Sequence, residues 1–230
     1  MNKNILPFED RTPYIQFWEE GAVYVVDKIF NYIESAGSTM AGFHLGYHYQ
    51  KLQPNPFLKE YSFFSSNEID LMKSVINFYL DTKLIIHDPN EMRYTSSSNE
   101  VYNSIHANEL MFLTLSHCSY RLFERLANEY KEHNFKIEDF NRKNIGDTVI
   151  RKQHDYGPNN IAKFGLHGLV IRIHDKIARL ENLTSEKRLG ESLVSNESVF
   201  DTCLDIIGYS VVAIMWLYGI FLTPMELDHK

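Results

Sequence analysis

The chain has 230 residues, 44% of them hydrophobic, and a formal net charge of −7 at pH 7. That length and apolar content support a substantial core and exclude a disordered chain. It carries no long Lys/Arg block, so no extended nucleic-acid surface is expected, although a local pocket for a free nucleotide remains compatible with the charge.

The first segment, MNKNILPFEDRTP, lacks the apolar stretch of a signal peptide, so secretion is not expected. Thr12 and Pro13 read as an N-cap and a first helical residue. The apolar spacing Ile15, Trp18, Val25, Val26, Ile29 and Ile33 then carries a helix to Ser35, ended by Gly37. Residues 38–66 are rich in Gly, Pro, Ser and aromatics and read as an irregular segment; His44 and His48 within it lack the nearby Glu that would support a zinc site. Ser66 or Asn67 caps a second helix whose core face runs from Ile69 to Leu80. After a loop at 88–100, residues 101–133 form a long periodic helix with Leu110, Leu113, Leu115, Cys118, Leu122, Phe123 and Leu126 for burial. Residues 138–153 predict a further helix that delivers the turn around Asp155, Tyr156 and Gly157.

Two helices follow, joined by a polar linker at 184–196. On the first, 169–183, Arg172, Asp175, Lys176 and Arg179 share one stripe. On the second, Glu197, Asp201 and Asp205 share an acidic stripe. Residues 206–225 then contain no charged side chain and are long enough to span a bilayer. With no basic cluster on either flank, a buried helix and no membrane is the expectation. Cys118 and Cys203, each in an apolar helical pattern, fit reduced thiols of an intracellular protein. No strand alternation or repeat is sustained, so the fold class is all-α, a multi-helix bundle, divided loosely into 1–140 and 141–230.

A plain explanation of the two stripes is a pair of helices laced by solvated salt bridges. Against it, Asp205 borders the uncharged run, where an unpaired carboxylate is costly unless a cation or metal neutralises it. Several carboxylates suit Mg²⁺ or Mn²⁺, and Arg/Lys beside a metal suit phosphate chemistry. His154, beside Asp155, is a candidate ligand or base. Tyr14, Phe17, Trp18 and Tyr24 read as core or dimer contacts.

The order of RKQHDYG, FGLHGLVIRIHDKIARLENL and ES-x-x-DT-x-LD-x-x-x-Y over about 145–215 resembles the nucleotide modification associated domain 1 family, found largely in phages and bacteria. That family looks like a neighbour of the all-α MazG and dimeric dUTPase pyrophosphohydrolases. The resemblance implies a MazG-like C-terminal part and a Mg²⁺- or Mn²⁺-dependent nucleotide function. It would make Glu197, Asp201 and Asp205 metal ligands, Asp155, Asp175 and Glu197 catalytic acids, and Arg172, Lys176 and Arg179 phosphate contacts, with Lys152, His154 and Tyr156 alongside. The chain departs from the pyrophosphohydrolase pattern, having neither Glu-x-x-Glu nor Glu-x-x-Asp in this region. The expectation is a cytoplasmic homo-oligomer that hydrolyses a (deoxy)nucleoside triphosphate to monophosphate and pyrophosphate. The alternatives are a nucleotide-sequestering protein acting in phage–host conflict and a structural helical oligomer.

Overall fold

In a computed structural model of the chain, the structure describes residues 14–36, 67–82, 98–129, 137–185 and 199–226. The described residues are all-α, with six helices of fifteen residues or more and no strand. In chain order, with the four-residue α5 added to those six, they are α1 (Trp18–Ser35), α2 (Glu68–Thr82), α3 (Ser98–Glu129), α4 (Arg142–Tyr156), α5 (Asn159–Ala162), α6 (Gly165–Leu183) and α7 (Val199–Leu217).

Local chemistry sets the helix ends. Thr12 and Pro13 lie outside the described residues, and α1 starts at Trp18 instead of just after them. There the Glu20 carboxylate accepts from the amides of Gln16 (2.8 Å) and Phe17 (3.3 Å), satisfying donors that the first turn leaves open. Asn67 caps α2 as expected, its Oδ1 accepting from the amides of Ile69 (2.9 Å) and Asp70 (3.2 Å). Asn141 caps α4 by accepting from the Asn144 amide at 3.0 Å. Gly157 closes α4 at φ 64°, in the left-handed region that favours glycine.

The uncharged run is not one helix to residue 225. The helix stops at Leu217, Gly219 turns the chain at φ 70°, and residues 220–226 fold back onto the start of α1. Trp18 N–H donates to Pro224 C=O at 2.9 Å, and the Trp18 and Phe221 rings meet edge to face. By length and composition α7 alone among the described helices would cross a membrane. Here α7 is enclosed by α1, α3, α4 and α6, while α2 packs on α3 and α6. Its buried face includes Cys203, Ile206, Ile207, Val211, Ile214 and Leu217, and one apolar core joins α3 from the first half to α6 and α7 from the second.

A polar network that sequence reading missed crosses this core. The Lys28 ammonium of α1 pairs with Glu109 of α3, and the Tyr218 hydroxyl donates to Glu109 at 2.5 Å. Glu109 and Tyr218 are buried, and the Lys28 ammonium also lies 4.8 Å from the Tyr218 ring centroid. Burial first, then the adjacent Glu109 charge, pushes the Tyr218 phenol far above its usual range, so it stays a neutral donor. The signal in sequence was a Glu inside an apolar helical run, which needs a partner when buried.

Candidate functional site

Helices α4, α6 and α7 and the Gly157 turn enclose a cleft of about 360 Å³. From α4 come Thr148, Val149, Lys152, Gln153 and Tyr156; from α6, Arg172 and Lys176; from α7, Leu204, Asp205, Gly208, Tyr209 and Val212. Ile161 of α5 adds an apolar wall. Three of these side chains are cations and one is a carboxylate, so the lining is net positive in a protein whose overall charge is negative.

The centre of the cleft is Asp205. Its Oδ1 accepts from Lys152 Nζ at 2.5 Å and its Oδ2 from Lys176 Nζ at 2.7 Å, so one carboxylate joins three helices. The Asp205 side chain is 18% exposed. Burial opposes its ionisation, but the hydrogen bonds and charges of Lys152 and Lys176 outweigh that and hold the carboxyl below the usual range. The sequence expectation that Asp205 needs a cation or metal is met here by two lysines.

The cationic stripe of α6 divides at the structure. Arg172 and Lys176 enter the cleft; Arg179, one turn further on, is half-buried and is not in its lining. Asp175 belongs to the same stripe by spacing but turns to solvent, 75% exposed and 4.0 Å from His174 Nδ1. Asp155 is exposed and outside the cleft. His154 points the other way, its Nε2 3.5 Å from a Glu19 carboxylate oxygen on α1. Tyr156, 74% exposed, stands at the cleft mouth. Asp201 is exposed one turn before Asp205, and Glu197 lies outside the described residues.

Sequence reasoning named Lys152, Tyr156, Arg172, Lys176 and Asp205, all of which line the cleft, and missed Gln153, Gly208 and Tyr209. Tyr209 carried a usable signal, being four residues after Asp205 and so on the same helical face. Gly208 keeps the wall low: a methyl there would meet Val149 at 3.5 Å, an ordinary contact, so room in the cleft is its contribution.

The donor set does not by itself make a divalent-metal site. Both Asp205 oxygens face lysines, and among the described residues no group of three His, Cys, Asp or Glu side chains is placed to hold a metal ion. What the cleft offers is ammonium and guanidinium donors beside apolar and aromatic walls, a recipe for an anionic head on a flat body. No family model, curated protein or solved structure matches this chain.

Proposed function

We propose that the α4–α6–α7 cleft binds a phosphorylated small molecule and that this molecule is a nucleotide. The observation that carries the reading is the convergence of Lys152, Lys176 and Arg172, from two helices, in one cleft. Its volume, about 360 Å³, falls in the range of small-ligand pockets, roughly 300–1,000 Å³. Ammonium and guanidinium groups suit phosphate oxygens, while Tyr156 and Tyr209 offer ring faces and Leu204, Val212 and Ile161 an apolar wall for a base. The resemblance to the nucleotide modification associated domain 1 family points to the same ligand class.

A thermal-shift panel of ribo- and deoxynucleoside mono-, di- and triphosphates tests this. At least one nucleotide is expected to raise Tm in a concentration-dependent way, as a ligand that binds the native state must. No shift with any of them at millimolar concentration contradicts the proposal.

A second reading is hydrolysis of a nucleoside triphosphate to monophosphate and pyrophosphate. What favours it is Asp201 lying one turn from the cleft carboxylate on α7, with Glu197 a further turn back in sequence. Because the described donors do not form a metal site, no chemical step through Mg²⁺ is assigned. Pyrophosphate release from the same panel with Mg²⁺ decides it: release supports turnover, and silence at high protein concentration leaves a sequestering protein.

A further inference from the structure

We infer that Asp205 is a built-in anion that occupies the phosphate-binding lysines until a ligand of higher charge displaces it. The inference rests on the cleft being an anion site and says how that site selects its ligand. Asp205 Oδ1 and Oδ2 each take one lysine, at 2.5 and 2.7 Å, the two-oxygen engagement that a phosphate would make with the same ammonium groups. Its partners come from α4 and α6, so the carboxylate also holds the two walls together in the absence of ligand. Lys152 is 47% exposed and Lys176 25% exposed as side chains, so both line the cleft and keep contact with solvent while paired.

The charge facing Asp205 fixes what can replace it. Lys152 and Lys176 contact it, and Arg172 is the remaining cation of the lining. A monoanion gains little by exchange, because it only restores the charge it removes. A dianionic phosphate brings twice the charge of the carboxylate to the same two lysines, in a lining that also contains Arg172. Asp205 thereby filters for phosphomonoesters and polyphosphates against carboxylates and phosphodiesters. A metal-ligand role for Asp205 makes the opposite forecast, since removing a ligand weakens binding where removing a competitor strengthens it.

Isothermal titration of inorganic phosphate and of dimethyl phosphate, near pH 8, into wild-type protein and Asp205→Asn separates the two. The Asn variant is expected to bind inorganic phosphate about tenfold more tightly. Its preference for the dianion over dimethyl phosphate is expected to shrink, with circular dichroism confirming its helix content. Equal or weaker phosphate binding by the variant overturns the inference. A measurement on the wild type avoids any folding defect: the Asp205 carboxyl, followed by ¹³C NMR, is expected to titrate at higher pH with phosphate bound than without, having lost its lysines. An unchanged or lowered titration overturns the inference. If wild type binds a nucleotide while Asp205→Asn binds phosphate less well, only this inference falls. If neither protein binds phosphate or any nucleotide, the cleft reading falls and takes the inference with it.

Discussion

Two titratable residues give the molecule separable pH signatures. Asp205 is held below its ordinary value of 3.8, against burial, by Lys152 and Lys176. Its contribution to stability is therefore complete above that value and is lost as pH falls through the folded-state value. Urea unfolding at pH 6 and near pH 3 should show a larger acid loss in wild type than in Asp205→Asn; equal losses would mean that the lysine pairs add nothing. His117, 1% exposed, has neither ring nitrogen hydrogen-bonded among the described residues. Burial first, and the Arg121 charge second, lower it from 6.5 to about 4, against a smaller upward pull from Glu68. For a histidine shifted down, the unfolded chain takes the proton first, so stability is full above 6.5 and drains as pH falls toward 4. The shift caps that loss at about 3 kcal/mol. His117→Phe, isolating this window, should flatten stability between pH 7 and 4.5 relative to wild type; an unchanged slope would show that His117 does not titrate with folding.

Helix ends and helix pairs show what could be read in advance and what could not. The long periodic segments, the cap at Asn67 and the turn at Gly157 follow from local rules, and the structure places them accordingly; the helix expected over 138–153 instead runs Arg142–Tyr156, started by the Asn141 cap and carrying Asp155 and Tyr156 in its last turn. At Gly157, φ 64° makes any Cβ unfavourable although space around it is open. Gly157→Ala should cost about 1–2 kcal/mol, a Tm drop of about 2–8 °C, measurable by calorimetry; an unchanged Tm would mean the turn readily relaxes. The candidate site was legible in part because Lys152, Arg172, Lys176 and Asp205 sit at helical spacings that make faces visible. Which face meets which helix was not legible. Asp175 shares the Arg172 stripe by count, yet the pairing of α6 with α7 turns Lys176 inward and Asp175 outward. The Lys152–Asp205 pair spans 53 residues and the Tyr218–Glu109 bond 109, and no local pattern encodes contacts across such distances. The end of α7 was missed because Gly208 lies inside the helix and Pro224 seven residues beyond its end, so neither marks the stop, while the positive φ of Gly219 appears only once the chain turns back on α1.

At the scale of the whole molecule, α7 unites a core that holds the bundle with a cleft wall that faces a ligand. Its C-terminal end leads into Tyr218 and the Lys28–Glu109 network, which ties α1 to α3, while Asp205 near its start ties α4 to α6. Removing one partner of a buried pair leaves the other charge uncompensated, whereas replacing both with apolar groups is often nearly neutral. Lys28→Met should therefore lose about 3 kcal/mol in urea unfolding, and Lys28→Met with Glu109→Leu and Tyr218→Phe, which leaves no buried polar group of the network unpaired, should recover most of it. A triple variant no more stable than the single would contradict this account of the network. The cleft itself is tested most directly by isothermal titration of a nucleoside triphosphate panel into wild type, Lys152→Met and Lys176→Met. Saturable one-site binding is expected in wild type, weakened about tenfold or more by each substitution, as for a lost charge-assisted phosphate contact. Absence of binding in wild type, or binding that both variants retain undiminished, would contradict it.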